Sequence, residues 1–422
     1  MKNVWLINHY ATSMYENKGG RHFWFAKELI KKGYNVTIIC SNQFHEKNEA
    51  IDLNGRPFKI ENVEGIRFIF VKTVNANGNG MKRVFNMISF YRNLMKHYPS
   101  FFNQSNKPDY VVGSSVHPLT MVAGIKIAKK LGIPSISEIR DLWPEAIFAF
   151  NKAKEDSILG RLLVKGEKWI YEQSNALIFT KEGDVDYIKE RKWDKQSGGK
   201  IDLKKCHYIN NGVDISFFDH EVVSNKIEDT DLDDSSFKVV YAGALRPVNN
   251  VGTIVEAAKY LKAYRDIKIL IYGQGIEQES LQREIEQNHL TNVILKGYIN
   301  KRNIPYILSK SSVNLLNYSQ SRYNWSRGNS SNKLFEYMAS AKPIICNVKM
   351  GYCLIERYNC GQVTADNSGK ALADAIEEIY RLDQENYNRL CTQARMAAQD
   401  FDFEVLTEKL EQVFKYVSRK ED

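Results

Sequence analysis

Residues 3–40 read NVWLINHYATSMYENKGGRHFWFAKELIKKGYNVTIIC, and their pattern decides the fold class. The apolar run 4–7 ends at Asn8, His9 and Tyr10. Gly19 and Gly20 follow, and then Phe25, Leu29 and Ile30 recur at helical spacing. Gly33 stands where a helix end favours a left-handed backbone. A second apolar run fills 36–40. Strand, glycine loop, helix and strand make a βαβ unit, and continuous apolar strands imply a parallel sheet buried on both faces.

The alternation continues outward from this unit. Strands are expected at 66–72, 110–115, 135–139 and 176–180, with helices at 119–131 and 159–173. The acidic stretch EVVSNKIEDTDLDDSS, 221–236, is poor in apolar residues and predicts an exposed loop. Beyond it, strands are expected at 238–243, 267–273, 292–297, 313–317 and 343–348, with helices at 251–264, 276–287 and 332–339. Two such series predict two doubly wound domains, 1–205 and 206–400. Ligands are expected beyond the carboxyl ends of the strands, with a cleft between the domains as the natural site. Phe403, Leu406, Leu410, Val413 and Phe414 predict a terminal helix within 401–422.

Composition narrows the class. The 422 residues suit two or three domains, and 43% hydrophobic with 26% charged residues excludes a disordered or fibrous chain. No run of eighteen apolar residues provides a spanning helix. MKNVWLINHY reads as a first strand rather than a signal peptide, so a cytoplasmic location is expected. Cys40, Cys206, Cys346, Cys353, Cys360 and Cys391 form no C-x-x-C pair and are expected to be reduced thiols. Residues 1–200 carry 31 Lys and Arg against 20 Asp and Glu, while 201–422 carry 28 against 30. A basic first half suits an anionic partner such as a phospholipid headgroup or a phosphate-bearing acceptor. No recognised nucleic-acid motif occurs, so no nucleic acid is expected. Residues 81–98, MKRVFNMISFYRNLMKHY, interleave Lys82, Arg83, Arg92 and Lys96 with Met81, Phe85, Ile88, Phe90 and Leu94. A basic amphipathic helix of this kind can lie on an anionic membrane, and the competing reading is a surface helix facing the core.

Six motifs occur in order: Gly19-Gly20, RDLWPE at 140–145, NNGVD at 210–214, YAGAL at 241–245, YGQG at 272–275 and SNKLFEYMASAKPII at 331–345. Together they resemble the retaining glycosyltransferase family 4 over nearly the whole chain, most specifically in RDLWPE and the last motif. The closest look is to members that build capsule and O-antigen polysaccharides, including N-acetyl-L-fucosamine transferases. The resemblance implies the α/β GT-B fold, with two Rossmann-like domains facing a cleft and a C-terminal helix, 401–422, that crosses back to the first. It implies an acceptor on the N-terminal domain, a nucleotide-sugar donor (a UDP-sugar in the first instance) on the C-terminal domain, no catalytic metal and no cofactor. The expected function is transfer of a sugar to a lipid-linked saccharide acceptor by a cytoplasmic enzyme peripheral to the membrane; its oligomeric state is left open. A non-catalytic GT-B subunit and a sugar-nucleotide epimerase are the alternatives.

The chemistry selects candidate residues. The leaving diphosphate gains negative charge, so its site needs fixed cations and backbone N–H donors. Ser331, Asn332 and Lys333 open the 332–339 helix, where a cation is unfavourable unless an anion joins it, so Lys333 is assigned to the phosphate. The resemblance gives Glu336 to the ribose hydroxyls, which a carboxylate accepts well. Gly243, Gly273 and Gly275 are donor-loop candidates. Where the family commonly has an Arg and a Lys in the first of these loops, this chain has Ala244 and Asn249, with Arg246 close enough to replace one; a family Glu is replaced by Gly328.

In the first domain, Gly19 and Gly20 permit close approach of a phosphate or sugar, and Arg21 can add a cation. Arg140 and Asp141 are expected to join Glu138 in one ion-paired network shaping the acceptor pocket, with a structural loop anchor as the competing reading. His117, in SSVHPL, is a candidate to bind donor or acceptor oxygens and joins Lys333 and Arg246 as a catalytic candidate. Asp184-Val185-Asp186 reads as a helix start rather than a metal site, so no metal ligands are expected.

Overall fold

The computed structural model describes residues 1–45, 47–75, 80–115, 117–149, 154–321 and 324–419. The chain divides into two compact units, Met1–Asn210 with Phe403–Asp422, and Asn211–Asp402.

The first unit is built on β1 (Asn3–Ile7), β2 (Asn35–Ser41), β3 (Phe58–Val63), β4 (Ile66–Val71), β5 (Tyr110–Ser114), β6 (Ser135–Ile139), β7 (Ala176–Phe179) and β8 (Cys206–Tyr208). Its helices are α1 (Thr12–Asn17), α2 (Arg21–Lys31), α3 (Met81–His97), α4 (Pro118–Leu131), α5 (Trp143–Ala149), α6 (Ile158–Gln173) and α7 (Asp184–Glu190). The sheet order is β3-β4-β2-β1-β5-β6-β7-β8. Every neighbouring pair is parallel except β3 with β4. The step from β1 to β2 runs one way across the sheet, and the steps from β4 through β7 run the other way. Right-handed crossovers therefore put α2 on one face and α3, α4 and α6 on the opposite face. β3 has no counterpart in the sequence reading. It is a half-exposed edge strand, and Glu64 and Gly65, with φ of 50° and 81°, close the left-handed two-residue turn that joins it to β4. β8 pairs with β7, which moves the expected boundary at 205 to 210: three residues, Cys-His-Tyr, were too short and polar to read as the closing strand of the first sheet.

The second unit contains β9 (Phe237–Ala242), β10 (Ile267–Tyr272), β11 (Val293–Gly297), β12 (Val313–Leu316), β13 (Ile344–Cys346) and β14 (Gly361–Val363). They form one parallel sheet in the order β11-β10-β9-β12-β13-β14. Its helices are α8 (Ile215–Ser224), α9 (Thr230–Asp233), α10 (Gly252–Tyr260), α11 (Gln278–Gln287), α12 (Ile304–Lys310), α13 (Asn332–Ala339), α14 (Leu354–Arg357), α15 (Gly369–Tyr380) and α16 (Gln384–Asp400). The acidic stretch expected as an exposed loop is a loop over 225–229 and 234–236, but it also contains the end of α8 and all of α9. Asp229, Asp231 and Asp234 accept from Lys268 and Lys296, and Tyr272 donates its hydroxyl to Asp229. Ion pairs with the neighbouring strands replace the apolar contacts whose absence suggested a loop.

α17 (Phe403–Ser418) belongs to the first unit. Phe403 meets Phe25 of α2 edge-on at 5.3 Å, and Phe414 stacks on Tyr110 at 4.6 Å. Among the described residues no helix is long and apolar enough to cross a membrane.

Candidate active site

In the second unit the carboxyl ends of β9, β10 and β12 bring three loops together with the start of α13. Lys333, in its first turn, turns its ammonium toward two aromatic faces, 4.9 Å from the ring centre of Tyr241 and 4.7 Å from that of Tyr318. Its Nζ donates to Asn249 Oδ1 at 3.4 Å. Burial pushes the Lys333 ammonium down to about 8, against a small opposing pull from Cys346 and Glu336. Asn249 also donates to the Ala244 carbonyl at 2.7 Å, so the residue replacing a family cation braces the loop that faces Lys333. Space at Gly243 is tight: a Cβ there would lie 2.8 Å from the Tyr241 hydroxyl and 3.2 Å from Lys333 Nζ.

Gly273 and Gly275 also have a structural role in the loops that were expected to meet the donor. A Cβ on Gly273 would lie 1.8 Å from the Gly243 carbonyl oxygen, and one on Gly275 would lie 2.1 Å from that of Leu245. These glycines let the loops after β9 and β10 stack backbone on backbone, with Leu245 N donating to Gln274 O. Arg246 is exposed, and no hydrogen bond or ion pair engages its guanidinium among the described residues. Glu336 is half-buried three residues beyond Lys333. Burial raises its carboxyl, against the pull of Lys301 and Lys333. Ser331 is the N-cap of α13 without a side-chain capping bond, and Asn332 is exposed. Gly328 has φ of 98°, a backbone that side chains rarely adopt.

In the first unit, Gly20 caps α2 with φ of 106°, and Gly19 lies against the Trp24 ring. Arg21 is buried in an ion pair. Its guanidinium, 3% exposed, donates to Glu138 Oε2 at 2.8 Å and to the carbonyls of Ile209 and Asn210. His22 Nε2 lies 2.9 Å from Glu138 Oε1, and Asn8 Nδ2 lies 2.8 Å from His22 Nδ1. Asn8 Nδ2 can only donate, so His22 accepts at Nδ1 and carries its proton at Nε2. Burial alone would raise the Glu138 carboxyl, but Arg21 and His22 hold it well below the usual range. The expected Glu138–Arg140–Asp141 network is therefore replaced. Glu138 pairs with Arg21 and His22, and Asp141 pairs with Lys181 at 3.1 Å. Arg140 is fixed through its backbone, its N–H on Ser115 and its carbonyl accepting from Thr180.

His117 is buried at the start of α4 and forms a pair that sequence reading missed. Its Nε2 lies 2.6 Å from Nδ1 of His9, whose ring stacks on Phe90. His117 Nδ1 is buried with no hydrogen-bond partner among the described residues. Burial, followed by Arg83, pushes the His117 imidazole down to about 3, and burial and His117 lower His9 well below its usual value. Both rings are neutral at pH 7. The signal for His9 was its place at the carboxyl end of the first strand. Asp184 is buried in the first turn of α7, and Asp186 pairs with Lys189.

Residues 24–217 match the family model described as Glycosyltransferase Family 4, and residues 223–397 match that described as Glycosyl transferases group 1. No curated protein matches the sequence. Among solved structures, the chain is similar to a sucrose-phosphate synthase from Thermosynechococcus elongatus, with a TM-score of 0.71 at 15% identity over 100% of both chains. It is also similar to Anabaena Alr3699/HepE in complex with UDP, with a TM-score of 0.66 at 13% identity over 98% of this chain and 100% of that one. WaaG, a glycosyltransferase involved in lipopolysaccharide biosynthesis, matches with a TM-score of 0.63 at 13% identity over 97% of this chain and 99% of that one. At these identities the likeness establishes the fold.

Proposed function

From the premise that this chain is a glycosyltransferase with the GT-B fold, we propose that it is a retaining enzyme, moving a sugar from a UDP-sugar to a lipid-linked saccharide in surface-polysaccharide synthesis. The observation that carries the donor half is Lys333. Its ammonium is held between two rings at a helix start, with one weak hydrogen bond and no carboxylate paired to it among the described residues, a setting suited to a diphosphate. A similar fold has been solved with UDP and glucose. Glu336 receives the ribose hydroxyls, and Arg246 meets the outer phosphate. His117 offers its unpartnered Nδ1 to a sugar hydroxyl. Neutral and buried, it is a hydrogen-bonding group rather than a proton carrier at pH 7. The leaving group is stabilised by these cations and the α13 amides, without a metal. The basic first half supports a phosphate-bearing acceptor met at the cytoplasmic face of a membrane.

The test begins with thermal shifts in nucleoside diphosphates, because a ligand that binds only the folded state raises its melting temperature. UDP should stabilise the protein. Lys333→Ala should weaken UDP by about 1.5–3 kcal/mol, roughly ten- to a hundredfold. Unchanged affinity in the variant would remove Lys333 from the phosphate site. Product analysis with nucleotide sugars and lipid-linked saccharides should then show transfer that survives excess chelator, with the anomeric configuration of the donor kept.

A further inference from the structure

α3, α4 and α6 lie side by side on one face of the first sheet, α4 packed between the other two. Each runs back from the carboxyl edge of its strand, so all three helix starts lie at the edge that carries His9 and His117. The starts of α3 and α6 leave large apolar side chains in solvent. Met81 is 66% exposed, Phe85 56%, Ile158 84% and Leu162 61%, and Ile88 and Leu159 are exposed beside them. These residues follow one rule on both helices. Met81, Phe85, Ile88 and Arg92 share the outward face of α3, and Ile158, Leu162, Lys165 and Trp169 share that of α6 with the same spacing. The core does not account for them, since α3 fills it with Met87, Phe90 and Leu94 from the opposite side. That burial is what the competing reading of a surface helix facing the core describes.

Behind the apolar tip the same helices become basic. Arg92 and Lys96 on α3, Lys126, Lys129 and Lys130 on α4, and Lys165 on α6 are exposed. From Phe85 to Arg92, and from Ile158 to Lys165, the helix rises about 10 Å. That matches the depth of about 5–10 Å to which apolar residues enter the headgroup boundary, and it leaves Arg92 and Lys165 level with the phosphates, with the remaining cations behind them. The acidic residues nearby do not cancel this. Glu155 is paired with Arg191, Glu172 lies near Lys168, and Asp156 is the exposed carboxylate beside the tip.

We propose that this three-helix face is a docking surface for an anionic phospholipid bilayer, entered tip first, which turns the edge carrying His9 and His117 toward the membrane; it rests on the membrane-face reading above and gives it a surface and an orientation.

Co-sedimentation with vesicles of phosphatidylcholine, with and without phosphatidylglycerol, tests it on the full-length protein. The intact protein should bind the anionic vesicles at low salt and release them as salt rises. Replacing Lys126, Lys129 and Lys130 together with Ser should weaken binding roughly a hundredfold at low salt. Phe85→Ser with Leu162→Ser should weaken it at low and high salt alike. All five residues are exposed, and circular dichroism verifies the fold of each variant. The proposal is overturned if the intact protein ignores anionic vesicles, or if both variants bind as well as it does. It is equally overturned if the tip instead covers a second copy, seen as a dimer in ultracentrifugation that the Phe85 and Leu162 changes dissociate. UDP-induced thermal shifts, read on the same samples, separate the two readings. A protein that binds vesicles but no nucleotide retains this surface and loses the donor assignment.

Discussion

At the scale of single residues, Lys333 combines two properties that pull against each other. A diphosphate site needs it charged, and burial between Tyr241 and Tyr318 lowers its titration to about 8. At pH 7 the ammonium persists, and above pH 8 it is progressively lost until an anion restores it. UDP affinity should therefore fall between pH 8 and pH 10, by up to about tenfold per unit. Titration calorimetry from pH 7 to 10 measures this, and a flat profile would place Lys333 away from the phosphates. Lys333→Arg should flatten the profile, since a guanidinium stays charged throughout. The nucleotide-free protein should show the reverse trend in its stability. The folded group titrates near 8 against 10.5 for a free lysine, so the unfolded chain holds more protons in that window and stability rises with pH across it.

At the scale of elements, the Arg21–Glu138 pair ties the start of α2 to β6 and to the chain leaving β8 at Ile209 and Asn210. Both side chains are 3% exposed, so removing one leaves a buried charge. Arg21→Met should cost about 3–5 kcal/mol, measured by urea unfolding. Because the folded Glu138 carboxyl lies well below its unfolded value, its contribution is present above about pH 4.3 and is lost as pH falls toward the folded value. A loss under about 1 kcal/mol in that unfolding series, the value of a surface pair, would show that the network is solvated. The sequence carried Arg21 only as a first-turn cation after two glycines, and nothing local separates an outward side chain from an inward one. Its partner lies 117 residues away, beyond the reach of pattern reading. The apolar runs of β1, β2, β9 and β10 were legible because strands buried on both faces need no alternation. β3 and β8 were not, since an edge strand and a three-residue strand carry no such run. Lys333 and Glu336 could be singled out as candidates because both fall within one continuous motif. The rings of Tyr241 and Tyr318 and the imidazole of His9 were not, because three-dimensional packing alone brings them beside the candidate residues.

At the scale of the whole molecule, the chain builds most of the first unit, passes through all of the second and returns to finish the first. α17 supplies that finish. Phe403, Leu406, Leu410, Val413, Phe414 and Val417 are all buried, and Tyr34 reaches Glu411 across the same surface. Contacts so distant in sequence carry a large loop-closure cost and form late. The first unit is therefore incomplete until the last helix is made, whereas every strand of the second lies within Asn211–Asp402. Phe414 is the sharpest probe, being 1% exposed and stacked on Tyr110 of β5. Phe414→Ala should destabilise the first unit by about 3–5 kcal/mol through the cavity it leaves. Tryptophan fluorescence reads that unit selectively, because Trp5, Trp24, Trp143, Trp169 and Trp193 lie in it and Trp325 alone lies in the second. The fluorescence-detected midpoint in urea should fall, while protection of the second unit by UDP, followed by hydrogen exchange on β9 and β10, should persist at urea concentrations below that midpoint. If Phe414→Ala leaves the fluorescence midpoint unchanged, α17 is an appendage rather than the closing element of the first unit.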